Sequence, residues 1–310
     1  MTGATQRRPS LTGVVELHLE PLSPFLGVEA RSLDLKAALA DDDRAVFGAL
    51  NAAIDRHRLV RIRDLDLSPQ DFVAVAAMFG PVSALRRASK EGLHFPDFPA
   101  IKVVANGQSA DGVKLGDGDA AENAWHTDGT YLANPTCLTF LYGRKIPSQP
   151  PRTVFMDMTE VYRRLPERLK AEVAGRSAVH YSLYNHDEED EAAIAALQDP
   201  ADRKRIGPSR PLVVRHPVSG LPSLAPPRQR DCVIDGLDDR QSRVLADALW
   251  DFIAAQDCVW GEVITPGDLL LWDNRFSLHM REAFANNEER LLWHTTTGGA
   301  RYELFTDNPN

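Results

Sequence analysis

Cysteine is scarce in this chain. The three cysteines in 310 residues, Cys137, Cys232 and Cys258, are odd in number and scattered, which excludes a disulfide framework and fits a reducing compartment. No apolar stretch approaches the ~18 residues needed to cross a bilayer, and no charged-then-apolar leader opens the sequence. A cytoplasmic protein without a membrane partner is therefore expected. Positive charge is also short: 35 Lys and Arg against 44 Asp and Glu leave a net charge of −9, which works against nucleic-acid binding. Linkers, repeats and low-complexity blocks are missing. Residues 11–310 are expected to form one domain behind a polar, disordered tail, 1–10, that carries Arg7-Arg8.

A 43% hydrophobic content allows a large core. The apolar pattern predicts a mainly β protein with flanking helices. Short strands are expected at Leu59–Ile62, Ala100–Val104, Cys137–Tyr142, Thr153–Met156, Pro211–Val214, Leu269–Trp272 and Arg290–Thr297. Helices are expected from Asp41 to His57, from Ser68-Pro69 to Gly80-Pro81, through Glu160–Leu165 and Glu167–Ala174, and from Asp238 or Asp239 to Ala255. The absence of βα alternation argues for a double-stranded β-helix, the jelly-roll or cupin-like barrel, over a doubly wound sheet. The Gly- and Asp-rich stretch 105–123 is expected to be a lid insertion.

The chemistry lies in the histidines. Nine histidines among 44 acids give roughly 1.3 chance His-x-acid matches, and three occur. His18-Leu19-Glu20 sits in an alternating strand pattern. His186-Asp187-Glu188 opens an acid run that suggests a solvated loop or first helical turn. His126-Thr127-Asp128 differs, because Gly129, Asn134-Pro135 and the apolar run from Cys137 place it on the lip of a buried strand. About 150 residues later, Trp272-Asp273-Asn274-Arg275 turns the chain toward His279, and the Arg290–Thr297 strand follows as the other arm of a hairpin. Two histidines and one carboxylate with open positions are a ligand set for non-haem Fe(II). Arg290, eleven residues past His279, could bind a second acid.

Trp125-His126-Thr127-Asp128-x-Thr130, Asp157, Arg215-His216-Pro217-Val218-Ser219-Gly220, Gly267-Asp268, Trp272-Asp273-Asn274-Arg275-x3-His279 and Arg290 together resemble the taurine dioxygenase family of Fe(II)/2-oxoglutarate-dependent oxygenases. The match runs from about Val14 to Thr297. The resemblance implies that His126, Asp128 and His279 hold Fe(II), and that Arg290 and Thr153 hold the distal carboxylate of 2-oxoglutarate. It implies that O2 is consumed, that succinate and CO2 are released, and that a small-molecule substrate is hydroxylated, with cleavage or desaturation as variants. Asp128 favours hydroxylation over halogenation, since halogenases of this superfamily lack that carboxylate.

Two departures bear on substrate. Pro150-Pro151 replaces the family's usual Gly-Gly pair ahead of Thr153. His294 stands where taurine dioxygenase has a sulfonate-gripping arginine, and exchanging a fixed charge for an imidazole disfavours a simple sulfonate. The substrate pocket is expected to draw on His294, on Tyr184, Asn185 and His186 within the stretch His180–His186, on Arg86, Arg87 and Lys90, and on Arg228 and Arg230. Arginines near the barrel mouth would suit an anionic substrate. His216 is expected to brace the barrel. The other class of reading is a cupin-like barrel that holds Zn(II) as a hydrolase or binds a ligand without turnover; neither needs a carboxylate clamp such as Arg290. The sequence leaves open a homo-oligomer.

Overall fold

The computed structural model describes residues 15–83, 95, 97–107, 112, 116, 120–182, 188–285 and 288–298. The expected tail 1–10, most of the expected lid, Arg86, Arg87, Lys90, and Tyr184, Asn185 and His186 lie outside the described residues.

Two sheets face each other. The larger has seven strands in the order β1 (His18–Pro21), β2 (Val28–Arg31), β3 (Leu59–Ile62), β13 (Leu269–Asp273), β6 (Leu138–Lys145), β15 (Leu291–Thr297) and β4 (Lys102–Ala105). The smaller runs β12 (Val259–Val263), β7 (Arg152–Asp157), β14 (Ser277–Arg281) and β5 (Asn123–His126). Every pairing within these two sheets is antiparallel except β2 with β3. Two short ladders, β8 (Ser177–Val179) with β9 (Ser209–Pro211) and β10 (Val213–Arg215) with β11 (Pro222–Leu224), complete the strands. The arrangement is the expected jelly-roll.

Strand alternation sorts the side chains into three apolar layers. On β13, Leu269 and Leu271 face outward with Phe140 and Tyr142, while Leu270 and Trp272 face the space between the sheets with Leu141 and Phe155. Both faces of β13 are covered, which explains an uninterrupted apolar run where a half-exposed strand would alternate. Outside the larger sheet pack α1 (Leu35–Ala40), α2 (Arg44–His57) and α3 (Pro69–Ala77), whose Leu35, Leu50, Ile54 and Phe72 join the outer layer. Outside the smaller sheet, α4 (Met158–Arg164), α5 (Glu167–Val173) and α7 (Asp239–Ala254) bury Val161, Leu169, Leu245 and Leu249 against Met156 and Leu278. One further helix, α6 (Glu188–Ala195), follows the segment 183–187.

Three expectations are corrected. The helix expected from Asp41 begins later, as α2, because Asp43, not Asp41, accepts from the Ala45 and Val46 N–H groups, and a helix that was not expected, α1, capped by Asp34, precedes it. The strand expected at Pro211–Val214 is split between β9 and β10, which belong to different ladders. The third concerns the hairpin. β14 pairs with β5 and β7 in the smaller sheet, whereas β15 pairs with β4 and β6 in the larger one. His279 and Arg290 therefore approach each other across the gap between sheets, not along one ladder.

Phe155 is fully buried in that gap, 5.1 Å from the Trp272 ring and 5.9 Å from that of Trp260. Phe155→Ala should cost about 3–5 kcal/mol of stability, the range for emptying a closed aromatic site. Urea unfolding measures it; a loss below about 1 kcal/mol would mean that the sheets are not packed through this ring.

Candidate metal and cosubstrate site

The alternation that buries Leu292 between the sheets also turns inward His294 of β15 and Arg290, which immediately precedes the strand, since the three are spaced by two. On the opposing sheet it turns Thr153 and Phe155 of β7 and His279 of β14 inward. His126, at the end of β5, is the register partner of His279, whose partner on the other side is Phe155. These residues meet around a cavity of about 610 Å3 lined by His126, Asp128, Thr153, Trp272, His279, Arg281, Arg290 and His294.

One ligand atom from each of His126, Asp128 and His279 lies within 4.8 Å of the other two. His126 Nε2 is 3.8 Å from Asp128 Oδ1, and His279 Nε2 is 3.7 Å from Oδ2. His126 Nδ1 stands 2.8 Å from the Ala124 carbonyl, which can only accept; the proton is therefore on Nδ1 and the Nε2 lone pair is directed to the cluster. Burial pushes the His279 imidazole down to about 3, with His126 adding to the effect, so it is a neutral donor of electrons at physiological pH. Burial opposes the Asp128 charge, but the surrounding His279, His294 and His126 outweigh it and hold the carboxyl well below the usual range. A dication is the partner that such a set of converging lone pairs and one carboxylate fits.

What positions Asp128 lies 146 residues away. The Asn274 side chain accepts from the Asp128 backbone N–H at 2.9 Å and donates to its carbonyl at 2.8 Å, with a second donation to the Thr136 carbonyl at 3.2 Å. Asn274 is itself fully buried, and its own N–H donates to the Cys137 carbonyl. Sequence reasoning placed Asn274 in a turn and gave it no such role; an Asn within a turn carries no signal of a partner so far along the chain. Gly129 follows Asp128 with φ of +63°, and a Cβ there would come within 2.5 Å of Thr136 Oγ1. The carboxylate is held as well: Thr139 Oγ1 donates to Asp128 Oδ2 at 3.3 Å, and His294 Nε2 lies 3.3 Å from the same oxygen. His294 thus sits against the triad, in the cavity it shares with Arg290.

Arg290 is 5% exposed and has no acidic partner among the described residues. Burial, with Arg281 adding, works against its charge, yet a guanidinium stays protonated near pH 7. Thr153 Oγ1, in the same cavity, is buried without a hydrogen bond. A buried cation without a counterion beside an orphaned hydroxyl suits an anionic ligand.

A second convergent set, Asp55, His216 and Asp273, is also buried. Here guanidinium groups stand where a cation would have to go: Arg275 contacts Asp273 at 2.8 and 2.6 Å, and Arg58 Nη1 lies 3.1 Å from His216 Nε2. His216 braces the barrel, as expected, and Arg275 is committed to Asp273.

A jelly-roll with a two-histidine, one-carboxylate centre and a cationic inner pocket defines a non-haem metal oxygenase architecture. Residues 18–296 match the profile of the taurine catabolism dioxygenase TauD, TfdA family. An (S)-phenoxypropionate/alpha-ketoglutarate-dioxygenase from Sphingobium herbicidovorans is 30% identical over 268 residues, 84% of this chain and 89% of that one. Pentalenolactone F synthase from Streptomyces avermitilis is 26% identical over 254 residues, 77% and 81% of the two chains. In structure, a taurine dioxygenase from Burkholderia xenovorans shares the fold with a TM-score of 0.68 at 23% identity, over 92% of this chain and 91% of that one. The chain belongs to the TauD/TfdA family of Fe(II)- and 2-oxoglutarate-dependent dioxygenases, and Fe(II), 2-oxoglutarate and O2 are the cofactors of that class. Among the described residues no helix is long and apolar enough to cross a membrane.

Asn274→Ala should unpair the Asp128 N–H and carbonyl at once, lowering stability by about 1–3 kcal/mol and Fe(II) affinity by roughly 10–100-fold. Metal titration of the folded variant reads the second effect. Wild-type affinity would show that Asp128 is positioned by other contacts.

Proposed function

We propose that this enzyme hydroxylates a C–H bond of a small molecule at a centre whose iron is held by His126, Asp128 and His279, with Arg290 and Thr153 holding the distal carboxylate of 2-oxoglutarate. The observation that carries the reading is the convergence, in one cavity, of the three candidate ligand atoms within 4.8 Å and a buried arginine without an acidic partner among the described residues. A metal-binding barrel alone would have no use for that arginine. When bound, iron with 2-oxoglutarate and dioxygen supplies the oxidising power, and the balance is one substrate hydroxylated and one 2-oxoglutarate released as succinate and CO2.

The chain's own groups supply orientation and dryness. Ala124 fixes the His126 tautomer. Asn274 fixes the Asp128 backbone, while Thr139 and His294 occupy its Oδ2 and limit rotation of the carboxylate. Trp272 and Phe155 wall His279 at ring separations of 4.9 and 6.0 Å and exclude water from its side of the site. The relatives include a phenoxypropionate dioxygenase and a pentalenolactone F synthase, so family membership leaves the substrate open. His294 contributes to the centre through Asp128.

Single substitutions His126→Ala, Asp128→Ala and His279→Ala should each abolish iron-dependent succinate formation and lower bound iron while circular dichroism stays unchanged. Near wild-type turnover and metal content in any one of them would remove that residue from the ligand set. Arg290→Ala should weaken 2-oxoglutarate binding by roughly 30-fold or more, the effect of losing a charge-assisted pair worth about 2–4 kcal/mol. Calorimetric titration decides this, and unchanged affinity would place the clamp elsewhere.

A further inference from the structure

A second cavity, of about 250 Å3, lies on the other side of His126, which lines both. Its walls are largely apolar, with Met158, Leu224, Trp250 and Leu278 among them. Three arginines also reach it, and two are engaged. Arg210 donates to the carbonyls of Leu132 and Ala133, and Arg275 is paired with Asp273. Arg228 is different. Its guanidinium lies 4.6 Å over the Tyr131 ring, its Nε is buried without a hydrogen bond, and no carboxylate among the described residues pairs with it. Burial disfavours its charge, while Tyr131 and Asp128 favour it.

His180 adds an independent observation. It is 3% exposed, lines the same cavity, and neither ring nitrogen has a hydrogen-bond partner. Burial pushes its imidazole down to about 3, with Arg210 and Arg228 adding to the effect, so it is neutral and brings one donor and one acceptor. Leaving a half-buried cation and a buried imidazole unsatisfied costs free energy unless a ligand completes them. A planar carboxylate matches the guanidinium fork and leaves an oxygen for an imidazole N–H. The volume is below the roughly 300–1,000 Å3 of sites for drug-sized ligands, so the molecule is small.

We propose that this cavity binds the primary substrate, that the substrate is a compact apolar molecule bearing one carboxylate, and that Arg228 binds the carboxylate with His180 as its hydrogen-bonding partner. This rests on the iron and 2-oxoglutarate reading, because His126 is what joins the two cavities. Arg290 and Arg228 then serve two different acids on opposite sides of one metal ligand.

The test is a titration of phenylacetate, with phenylacetamide as its neutral isostere, into the full-length protein loaded anaerobically with Fe(II) and saturating 2-oxoglutarate. Saturating cosubstrate keeps the probe out of the Arg290 cavity. Phenylacetate should bind the wild type and bind Arg228→Gln at least about tenfold more weakly, with 2-oxoglutarate affinity unchanged; the amide should bind both proteins equally. Should Arg228→Gln unfold, Arg228→Lys decides, since it keeps the charge, loses the fork and should bind the probe more weakly than wild type. Equal phenylacetate binding by wild type and the folded variant, displacement of phenylacetate by 2-oxoglutarate, or no phenylacetate binding to the wild type overturns the proposal. Failure of 2-oxoglutarate itself to bind the iron-loaded wild type is a separate result, and it strikes the functional reading instead.

Discussion

The site depends on one amide. Asn274 clasps the peptide of Asp128 by both its N–H and its carbonyl, joining two segments 146 residues apart in sequence. Without that clasp, Asp128 would lie on a loop beyond the end of β5, and its carboxylate would be aimed by two hydrogen bonds of 3.3 Å alone. With it, the turn after β13 and the turn after β5 become one unit, and β14 leaves that unit with His279 already in register with His126. The neighbouring Asp273 reinforces the turn by accepting from the N–H and guanidinium of Arg275, while its backbone carbonyl accepts from Ser277 Oγ. Metal binding can then act on a preformed set of ligands, so less of its free energy is spent on ordering the chain.

Much of this was legible in the sequence because strand geometry is local. Period-two alternation places Leu292 and His294 on one face of β15 whatever the strand pairs with, and Arg290 stands in phase with them just before the strand. The apolar run Leu269–Trp272 announces a strand covered on both faces. The His-x-Asp spacing brings both ligands to one turn. What was hidden is what depends on the partner of each strand. The expected hairpin between the His279 and Arg290 segments failed because β14 and β15 belong to different sheets, and nothing in the sequence between them distinguishes that from a hairpin. Asn274 was hidden for the same reason, its partner being remote. Helix starts were misplaced where Asp41, Asp42 and Asp43 stand in a row and any could cap, Asp43 doing so, and at α4, which Asp157 caps and which starts at Met158, two residues ahead of the expected Glu160.

The electrostatics of the interior divide into satisfied and unsatisfied charge. Asp273, Arg275, Arg58 and His216 form a closed network that braces the sheets, and Glu29 is enclosed by Arg61 and Arg63. Arg290, buried, and Arg228, half-buried, stand apart, without acidic partners among the described residues. Breaking a closed network by one partner is costly to the fold, whereas groups left open in cavities are a cost that ligands relieve. Here the open groups line the two cavities that share His126, so the charge pattern marks the same place as the proposed metal ligands.

The most direct measurement is the visible absorption spectrum of the anaerobic protein titrated with Fe(II) and 2-oxoglutarate. The account predicts a weak band that appears only when both are present, saturates at one equivalent of iron, and is absent with Zn(II) or in Asp128→Ala. A spectrum unchanged by 2-oxoglutarate in the iron-loaded wild type, or a full band in Asp128→Ala, would contradict it.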